Sequence, residues 1–505
     1  GGFGHRARYL NPYALELAAT LYHRGGDQAM LRALLTTLRE MEHGAIYDRV
    51  GGGFHRFTSD PAWRRPELEK LLSYNSAVLS AYVLGYGATG DRDLLGVANK
   101  TADYLLETLR DPNGGFFVAQ WASGSSEEPK GLYYAWTDEE FGRVVPQKQA
   151  ALARLLFPVT AQGDLLLGPP PRSFLYLTMR REELSARLGL TDDALRGAEA
   201  EVLSALAAAR HSRQAPPIER AVYVDSTSAA VWALLDLSRV TGRQDARQAA
   251  QEALDRMLAA VPQGRPMLHR LEPPPEIGAD PALALDHVML ARAALLAFEV
   301  TGQARYLAAA RDVTDRALGL FWDPDRGFYD VVSDPKAPGY LPIRRALPAD
   351  TAYPSLNSVA AQVLDRISLL TGDPSYRARA ETCLKNHTAA VKTPSFQQAG
   401  LALAIEAHLR TSTTYVVVGG DEDARTRELR AFASKLFDPG KVILGLSPGR
   451  DDPEIARWGL QKSKEPYIAV CDGARCSVPA RSEAALKEAL SGLARGSRGT
   501  AGAVD

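Results

Sequence analysis

The amino-acid sequence predicts a mainly α protein: an (α/α)6 toroid of helical hairpins over residues 1–410, followed by a small α/β domain over residues 411–494. Apolar residues recur at helical spacing through most of the chain, and a Thr-Gly dipeptide closes several predicted helices at similar intervals. After Arg410 the pattern changes to short β-branched runs and charged helices. A repeat of paired helices with a fixed period is typical of a ring of stacked hairpins.

Two hairpins are predicted at the N-terminal end. Apolar residues recur at helical spacing over residues 15–41, and Gly25-Gly26 interrupts them, which indicates two helices joined by a glycine turn. Residues 74–109 repeat this pattern, with Gly90 at the break.

The Thr-Gly dipeptide extends the repeat along the chain. It occurs at 89–90, 241–242, 301–302 and 371–372, and the last three copies are 60 and 70 residues apart. The first two copies are 152 residues apart, about two periods, so we expect one degenerate hairpin between them. With the Gly25-Gly26 turn included, these signals predict six hairpins.

The C-terminal segment predicts a small sheet with helices. Residues 495–505 are small and polar, so we expect a disordered tail. The predicted strands are Tyr415–Val418, Lys441–Leu446 and Tyr467–Val470, and the predicted helices are Asp423–Leu436 and one that begins at Glu483.

Composition excludes several classes of function. The net charge is −1, with 46% hydrophobic and 24% charged residues, as in an ordinary globular protein and unlike a nucleic-acid-binding one. No apolar run approaches the roughly 20 residues that span a bilayer. With three cysteines in 505 residues, a disulfide framework is not expected, and a reducing, cytoplasmic location is favoured.

Cys471 and Cys476 have four residues between them and no companion His or Cys pair, so no zinc site is predicted. The turn Asp472-Gly473 between them indicates a hairpin that would bring the two sulfurs close together. No metal and no cofactor are predicted.

Residues 46–82 concentrate the candidate site residues. His55 follows three glycines that allow a tight backbone, and an imidazole exchanges protons near neutral pH. Arg56 suits a carboxylate or an oxyanion, unless it pairs with Asp48 or Asp60. Trp63 suits stacking on a sugar face, although capping of the hairpins explains it equally well.

A helix is predicted over residues 67–88. Pro66 suits its first turn, and Glu67 and Glu69 are placed where the helix dipole favours acids. Glu69 lies on a polar face that points either into the central cavity or into water. As an alternative to a site, Glu69 and Lys70 are exposed charges, of which the acid interacts favourably with the helix dipole. Asn75 interrupts the apolar stripe of this helix.

A second candidate cluster is Asp286-His287, inside a helix predicted to start at Asp280-Pro281. A satisfied core histidine is the alternative there, and helix capping is the alternative for Asn357. The candidate catalytic residues are His55, Glu69, Asp286 and His287. The candidate ligand-binding residues are Arg8, Tyr47, Asp48, Arg56, Asp60, Trp63, Lys70, Asn75 and Asn357.

Several motifs carry a resemblance to a known family. They are GGFG at 1–4, IYDRVGGGFHRF at 46–57 with Asp60, Trp63, Pro66 and Glu69-Lys70, LDHVML at 285–290, GFYD at 327–330, PSLNSV at 354–359 and CDGARCSVP at 471–479. The chain resembles the spermatogenesis-associated, thioredoxin-domain protein family, over nearly its whole length. The resemblance implies a thioredoxin-like domain upstream of Gly1, and a barrel similar to N-acylglucosamine 2-epimerases and six-hairpin glycosidases, which commonly act on sugars through His, Glu or Asp.

The chain departs from that family pattern at cavity positions. The chain has Glu67 where the family pattern has a His, and Ser73-Tyr74 where it has a Tyr-Asp pair. It has Trp-Ala-Ser at 121–123 in place of an Asp-Ala-Asp run, and Ser226-Thr227 in place of a Trp-Asn pair. It has Arg8-Tyr9 in place of a Lys-Phe pair. Acid–base catalysis needs such titratable groups.

The leading hypothesis is therefore a cavity for a sugar-like or polyol ligand. Epimerase- or isomerase-type proton transfer is favoured over hydrolysis if the protein is an enzyme. The alternatives are a non-catalytic scaffold that binds a protein partner in a larger assembly and an accessory to thioredoxin-type redox chemistry.

Overall fold

The structure is a computed structural model that describes residues 1–4, 6–123, 131–164, 169–261, 267, 269–272, 283–332, 345–346, 349–351, 353–387, 395–410, 412–473 and 475–498. Its helices are α1 Pro12–Gly25, α2 Gln28–His43, α3 Leu72–Thr89, α4 Arg92–Tyr104, α5 Asp138–Val144, α6 Ala150–Leu156, α7 Arg181–Leu188, α8 Asp192–Arg210, α9 Val224–Thr241, α10 Gln244–Ala259, α11 Ala284–Thr301, α12 Ala304–Phe321, α13 Leu356–Thr371, α14 Pro374–Lys385, α15 Ala399–Leu409, α16 Ala424–Lys435, α17 Asp452–Arg457 and α18 Glu483–Arg498.

The strands are short outside the C-terminal sheet. They are β1 Arg8–Tyr9, β2 Phe57–Thr58, β3 Pro66–Glu67, β4 Lys70–Leu71, β5 Ala119–Gln120, β6 Ile218–Glu219, β7 Val222–Tyr223, β8 Arg270–Glu272, β9 Trp322–Asp323, β10 Gly327–Phe328, β11 Thr413–Val418, β12 Val442–Leu446, β13 Tyr467–Asp472 and β14 Arg475–Cys476.

Six helices form a closed inner ring, which confirms the predicted toroid. Helices α1, α3, α9, α11, α13 and α15 pack in this order, and α15 packs back against α1. The helices α2, α4, α10, α12 and α14 follow the first five and lie outside the ring. The apolar residues of both layers form one continuous core.

The Thr-Gly repeat ends four inner helices in the same way. Thr89 Oγ1 donates to the carbonyl of Gly85 at 2.8 Å and accepts the backbone N–H of Asp91 at 3.1 Å. The same pair of bonds recurs at Thr241, Thr301 and Thr371. Each following glycine has a positive φ, between 72° and 80°, the left-handed conformation that reverses the chain after a helix.

The expected degenerate hairpin between residues 90 and 241 is wrong. Helix α3 packs directly against α9, so the two are consecutive inner helices, and no further inner helix lies between them in the ring. Helices α5 to α8 bury a separate core around Trp136, Phe141, Leu184 and Val202. The long interval is thus one insertion beside the ring, and α15 supplies the sixth inner helix.

The predicted helix over residues 67–88 begins later, at Leu72. Pro66–Glu67 pairs with Phe57–Thr58, and Lys70–Leu71 pairs with Ala119–Gln120, so the preceding residues are extended. The predicted roles of Pro66, Glu67 and Glu69 in the first turn are therefore wrong, because ladder pairing outweighs the local helix signal.

The C-terminal sheet has the order β12-β11-β13-β14, with β12 parallel to β11 and β13 antiparallel to it. Cys471 lies opposite Cys476 across the β13–β14 hairpin, and a disulfide joins them, which confirms the expected proximity of the sulfurs. Buried Glu299 of α11 binds Arg366 and lies 3.4 Å from the backbone nitrogen of Ile443, which joins the sheet to the ring.

The division of the chain at residue 410 stays a prediction. Residues 495–498 belong to α18, and the rest of the predicted tail lies outside the described residues. The predicted helix start at Asp280-Pro281 also lies outside them. Among the described helices, none combines the length and apolar character that crossing a membrane requires.

Candidate functional site

A buried ionic cluster lies beside the ring, between the loop of residues 46–57 and the insertion. Asp48 accepts hydrogen bonds from Lys70 Nζ at 2.7 Å and from Arg210 at 2.8 Å. Lys70 also donates to the carbonyl of Gly52 and lies over the rings of Tyr104 and Tyr134, 4.6 and 5.2 Å from their centroids. Because Arg210 ends α8, this cluster ties the insertion to the ring.

Burial sets the charge state of this cluster. Burial alone would raise the pKa of Asp48, but attraction to Arg210 and Lys70 outweighs it and holds the pKa well below its usual value. Burial lowers the pKa of Lys70 to about 8. All three charges therefore stay paired near neutral pH, as expected for a structural ion network.

His55 lies next to this cluster and is 2% exposed. Its Nδ1 bonds to the carbonyl of Leu68 at 2.9 Å, and Tyr134 meets it edge-on. Burial, followed by repulsion from Lys70, lowers the pKa of His55 to about 3, so the ring is neutral at pH 7. Proton transfer by His55 stays a prediction, and its position within the protein core does not support that role.

Arg56 and Glu69 form an ion pair at the surface. Arg56 donates to Glu69 at 3.1 Å, and the two side chains are 49% and 30% exposed. Arg8 binds the backbone carbonyls of Pro61 and Gly4. A role of these residues in binding ligand stays a prediction. Glu69 faces solvent and its Arg56 partner, and does not approach His55 or His287 through any contact in the described residues.

Three other predicted ligand residues support the loop instead. The carboxylate of Asp60 accepts the backbone N–H groups of Ala62, Arg64 and Arg65. Trp63 is 1% exposed, which favours the alternative in which it caps the hairpins, and stacking on a sugar stays a prediction. Tyr47 is also buried, with its ring 4.9 Å from that of Phe54.

Asn75 and Asn357 use their amides on the backbone. Asn75 accepts the N–H of Phe54 and donates to the carbonyl of the same residue, and Asn357 does the same with Phe328. Both amides are buried. They therefore fix two aromatic-glycine loops against inner helices, and ligand binding by either residue stays a prediction.

Asp286 and His287 point in different directions. His287 is buried, with Nδ1 bonded to the carbonyl of Leu283 and its ring against Phe321 of the outer helix α12. Burial lowers its pKa. It is the core histidine of the alternative interpretation, whereas Asp286 belongs to a polar cluster at the ring.

That cluster lies at the N-terminal ends of the inner helices, and the sequence interpretation missed two of its members. The carboxylate of Asp286 bonds to Nδ1 of His269 at 2.9 Å and accepts the backbone N–H of Asp225 and of Leu283. Side-chain ligand atoms of Asp225, His269 and Asp286 lie within 4.8 Å of one another. Tyr223 covers the imidazole at 4.7 Å between ring centroids.

Asp225 is the unusual acid of the cluster. Burial, and then repulsion from Asp286, raises the pKa of Asp225 to about 6. Tyr353 hydrogen-bonds to Ser73 of α3 and Ser226 of α9, so polar groups from neighbouring inner helices converge here. The position of Asp225 in the first turn of an inner helix was a possible signal, but His269 lies in a loop without a repeat.

The spacing of Asp225, His269 and Asp286 would also admit a divalent cation. Both oxygens of Asp286 already accept backbone N–H groups, and the imidazole faces that carboxylate. This bonding favours a hydrogen-bonded acid–base group over a metal site.

Among the residues that the structure describes, two cavities lie within the ring. A small one of about 30 Å³ lies near its middle, between Tyr13, Ser80 and Met289. A larger one of about 300 Å³ lies at the C-terminal ends of the inner helices, against the α/β sheet. Glu16, Trp232 and Arg292 line both, so the two cavities adjoin.

Comparisons with known proteins agree with this architecture. No protein-family model matches the chain. It is 28% identical over 534 residues to spermatogenesis-associated protein 20 of Homo sapiens, which covers 97% of this chain and 67% of the relative. The same protein of Mus musculus is 25% identical over 546 residues, which covers 97% and 66%. The chain thus spans about two thirds of these relatives.

Solved structures show where the fold recurs. A sugar epimerase from a ruminal bacterium superposes with a TM-score of 0.50 at 9% identity, over 80% of this chain and 88% of the other. Cellobiose 2-epimerase from Bacillus thermoamylovorans B4167 gives 0.50 at 10% identity, over the same shares. The chain has the ring fold of these epimerases. At such identities the likeness concerns the fold alone.

Proposed function

We propose that the protein binds a sugar-like polyol at the N-terminal ends of the inner helices and transfers protons on it, as an epimerase or isomerase does. The observation that carries this proposal is the cluster of Asp225, His269 and Asp286. It combines a histidine oriented by a carboxylate with a second acid whose pKa is about 6. The ring fold, which is also that of two sugar epimerases, supports the location.

The contacts suit removal and return of a proton beside a carbonyl group. Nδ1 of His269 donates to Asp286, which orients the imidazole and stabilises its protonated form, so the proton is exchanged at Nε2. Removing the proton from the carbon next to the sugar carbonyl, with a proton donated to the carbonyl oxygen by the second acid, leaves an enediol. Return of a proton to the opposite face inverts that carbon, and return to the neighbouring carbon interconverts aldose and ketose.

Asp225 suits the second proton transfer. An acid with a pKa of about 6 is present in both charge states near neutral pH, which favours general acid–base catalysis. The hydroxyls of Ser73, Ser226 and Tyr353 lie on adjacent elements and suit hydrogen bonds to a polyol.

The experiment is proton exchange in D₂O, with mannose, glucose, fructose and cellobiose as probes and NMR as the readout. We expect deuterium to enter at the carbon next to the carbonyl. His269→Gln should slow this exchange by at least about 100-fold, the usual contribution of a general base.

His287→Gln is the matched comparison, because that histidine packs against Phe321 away from the cluster. We expect it to retain exchange within about threefold, since general-base effects require contact with the proton. Loss of exchange in His287→Gln with full exchange in His269→Gln would reverse the assignment. Absence of exchange with every probe would refute catalysis and favour the scaffold hypothesis.

A further inference from the structure

The larger cavity of the ring carries an unbalanced set of charges. It lies between the C-terminal halves of α1, α13 and α15 and the start of β12, at the end of the ring opposite to the Asp225 cluster. Its charged lining consists of five arginines and three carboxylates: Arg24, Arg292, Arg366, Arg377, Arg410, Glu16, Asp365 and Glu406. A cavity with an excess of cationic side chains raises the local concentration of anions.

Arg292 is the deepest of these arginines. Its side chain is 12% exposed, and its guanidinium lies 4.1 Å from the ring centroid of Trp232. The nearest carboxylate, that of Glu16, is 4.0 Å away, and Arg292 makes no hydrogen bond to any residue that the structure describes. A guanidinium has five N–H donors, and a buried one normally uses them.

Two more arginines share a single acid. Arg24 lies 3.3 Å and Arg410 lies 3.5 Å from the same oxygen of Glu406. One carboxylate cannot balance two guanidinium groups, so a positive charge is left over at this wall of the cavity.

The remaining arginines of the lining are balanced. Arg366 makes two hydrogen bonds to the buried Glu299, behind the cavity wall. Arg377 pairs with Asp365 at 3.5 Å, and Asp365 also bonds to His408. With Glu16 counted against Arg292, one positive charge is left over, at the Arg24–Arg410 pair, and Arg292 adds N–H donors that no described residue uses.

The cavity is reached from the surface. Arg377 and Arg410 are 54% and 63% exposed in their side chains, and Leu409 is 76% exposed. The volume of about 300 Å³ is at the lower end of the range for small-molecule sites.

We propose that this cavity binds a phosphate monoester of about the size of a monosaccharide, with the phosphate on Arg292 and the neighbouring arginines. A phosphate carries close to two negative charges and three acceptor oxygens, which matches both the charge excess and the unused donors of Arg292. Trp232, already stacked on Arg292, provides an apolar face for the rest of the ligand. This site is separate from the Asp225 cluster and does not depend on its activity.

Isothermal titration calorimetry of the full chain tests the proposal, with glucose 6-phosphate as the probe and glucose, glucuronate and inorganic phosphate as comparisons. We expect glucose 6-phosphate to bind, with an affinity that falls as salt is added, and glucose at least about tenfold more weakly. Inorganic phosphate should compete for the same site. Equal binding of glucuronate would refute the preference for phosphate, and no binding of either phosphate probe would refute the site.

Variants locate the site. Arg292→Met should weaken binding of glucose 6-phosphate at least about tenfold, and Arg292→Lys should weaken it less, since it keeps the charge and loses the fork of donors. Arg410→Met, at the exposed mouth, should weaken binding about threefold and cannot disturb the core. Arg305→Met is the matched control, because Arg305 pairs with Asp255 on the outside of the ring.

Circular dichroism and the melting temperature check that each variant folds. Should Arg292→Met fail to fold, Arg292→Lys and Arg410→Met decide the question. Unchanged affinity in both of these variants would overturn the proposal. His269→Gln should leave phosphate binding unchanged, and loss of binding in that variant would place the ligand at the other end of the ring.

Discussion

The side-chain amide of Asn75 bonds to both backbone polar groups of Phe54, an arrangement called a clamp below. The side-chain Oδ1 accepts the N–H of Phe54 at 2.6 Å, and Nδ2 donates to its carbonyl at 3.0 Å. Asn357 makes the same two bonds to Phe328, each at 2.8 Å. In both cases a glycine with positive φ precedes the phenylalanine, and a Cβ there would collide with the asparagine or its surroundings.

Loss of either clamp should destabilise the ring strongly. Asn75→Ala and Asn357→Ala each leave a buried N–H and a buried carbonyl without a partner, so we expect a loss of about 3 kcal/mol or more in the free energy of unfolding. Chemical unfolding followed by circular dichroism measures it. Asn386→Ala, an exposed position, is the control. A loss below about 1 kcal/mol at Asn75 would contradict the clamp.

A third clamp can be built at Thr227. This residue occupies the first turns of α9 beside Gly115 and Phe116 of a similar loop, and its Oγ1 is buried without a hydrogen-bond partner in the described chain. Thr227→Asn should bond to Phe116 as the two natural clamps do, which raises stability by about 1 kcal/mol. A higher melting temperature is the readout. Thr227→Val replaces the hydroxyl by a methyl group and adds no hydrogen bond. It therefore measures the stability gained by removing the unpaired hydroxyl alone, and any further gain in Thr227→Asn comes from the new bonds.

Removal of one cation from the ion network around Asp48 should lower the stability of the protein strongly. Lys70→Met keeps the length of the side chain but leaves the carbonyl of Gly52 and one oxygen of Asp48 without their donor. We expect a loss of about 3–5 kcal/mol. Lys148→Met removes an exposed pair with Glu201 and should lower the stability much less. Equal effects of the two variants would show that burial does not matter here.

Asp225 should make stability depend on pH. Its folded-state pKa, about 6, lies above the usual 3.8, so between these values the folded protein holds a proton that the unfolded chain has released. The contribution of Asp225 to the free energy of unfolding is therefore at its maximum below about pH 4 and is lost as the pH rises through about 6. Asp225→Asn lacks that titration.

Unfolding of wild type and Asp225→Asn at pH 4.5 and pH 8 tests this sign. The difference in free energy of unfolding, variant minus wild type, should be larger at pH 8 than at pH 4.5. A larger difference at pH 4.5 would mean that the folded protein lowers the pKa of Asp225. Asp192→Asn, half-exposed at the start of α8, is the control.

Two glycines of the Thr-Gly repeat should respond differently to alanine. At Gly90 a Cβ meets no atom within 4 Å, so only the positive φ opposes it, at a cost of about 1 kcal/mol. At Gly302 the Cβ would also lie 2.5 Å from the guanidinium of Arg430. Gly302→Ala should therefore lower the melting temperature more than Gly90→Ala does, and equal shifts would contradict the packing of Arg430 on this turn.

The sequence predicted the elements better than it predicted the site. The ends of α3, α9, α11 and α13 follow from Thr-Gly, because a threonine that bonds back along its helix and a glycine with positive φ are local features. The predicted start of α3 was wrong because Lys70–Leu71 pairs with a strand about fifty residues away along the chain. Periodicity also could not distinguish an extra hairpin from the insertion of α5 to α8, since both are helical.

The sequence by itself therefore determined a ring of paired helices, their glycine stops and the C-terminal sheet. Tertiary structure alone decided which polar groups meet. Asp48 and Arg210 are 162 residues apart and Asp225 and Asp286 are 61 apart, and neither pair has a sequence signal. Helical periodicity is a property of neighbouring residues, whereas a buried charge takes its partner and its pKa from whatever the fold packs against it.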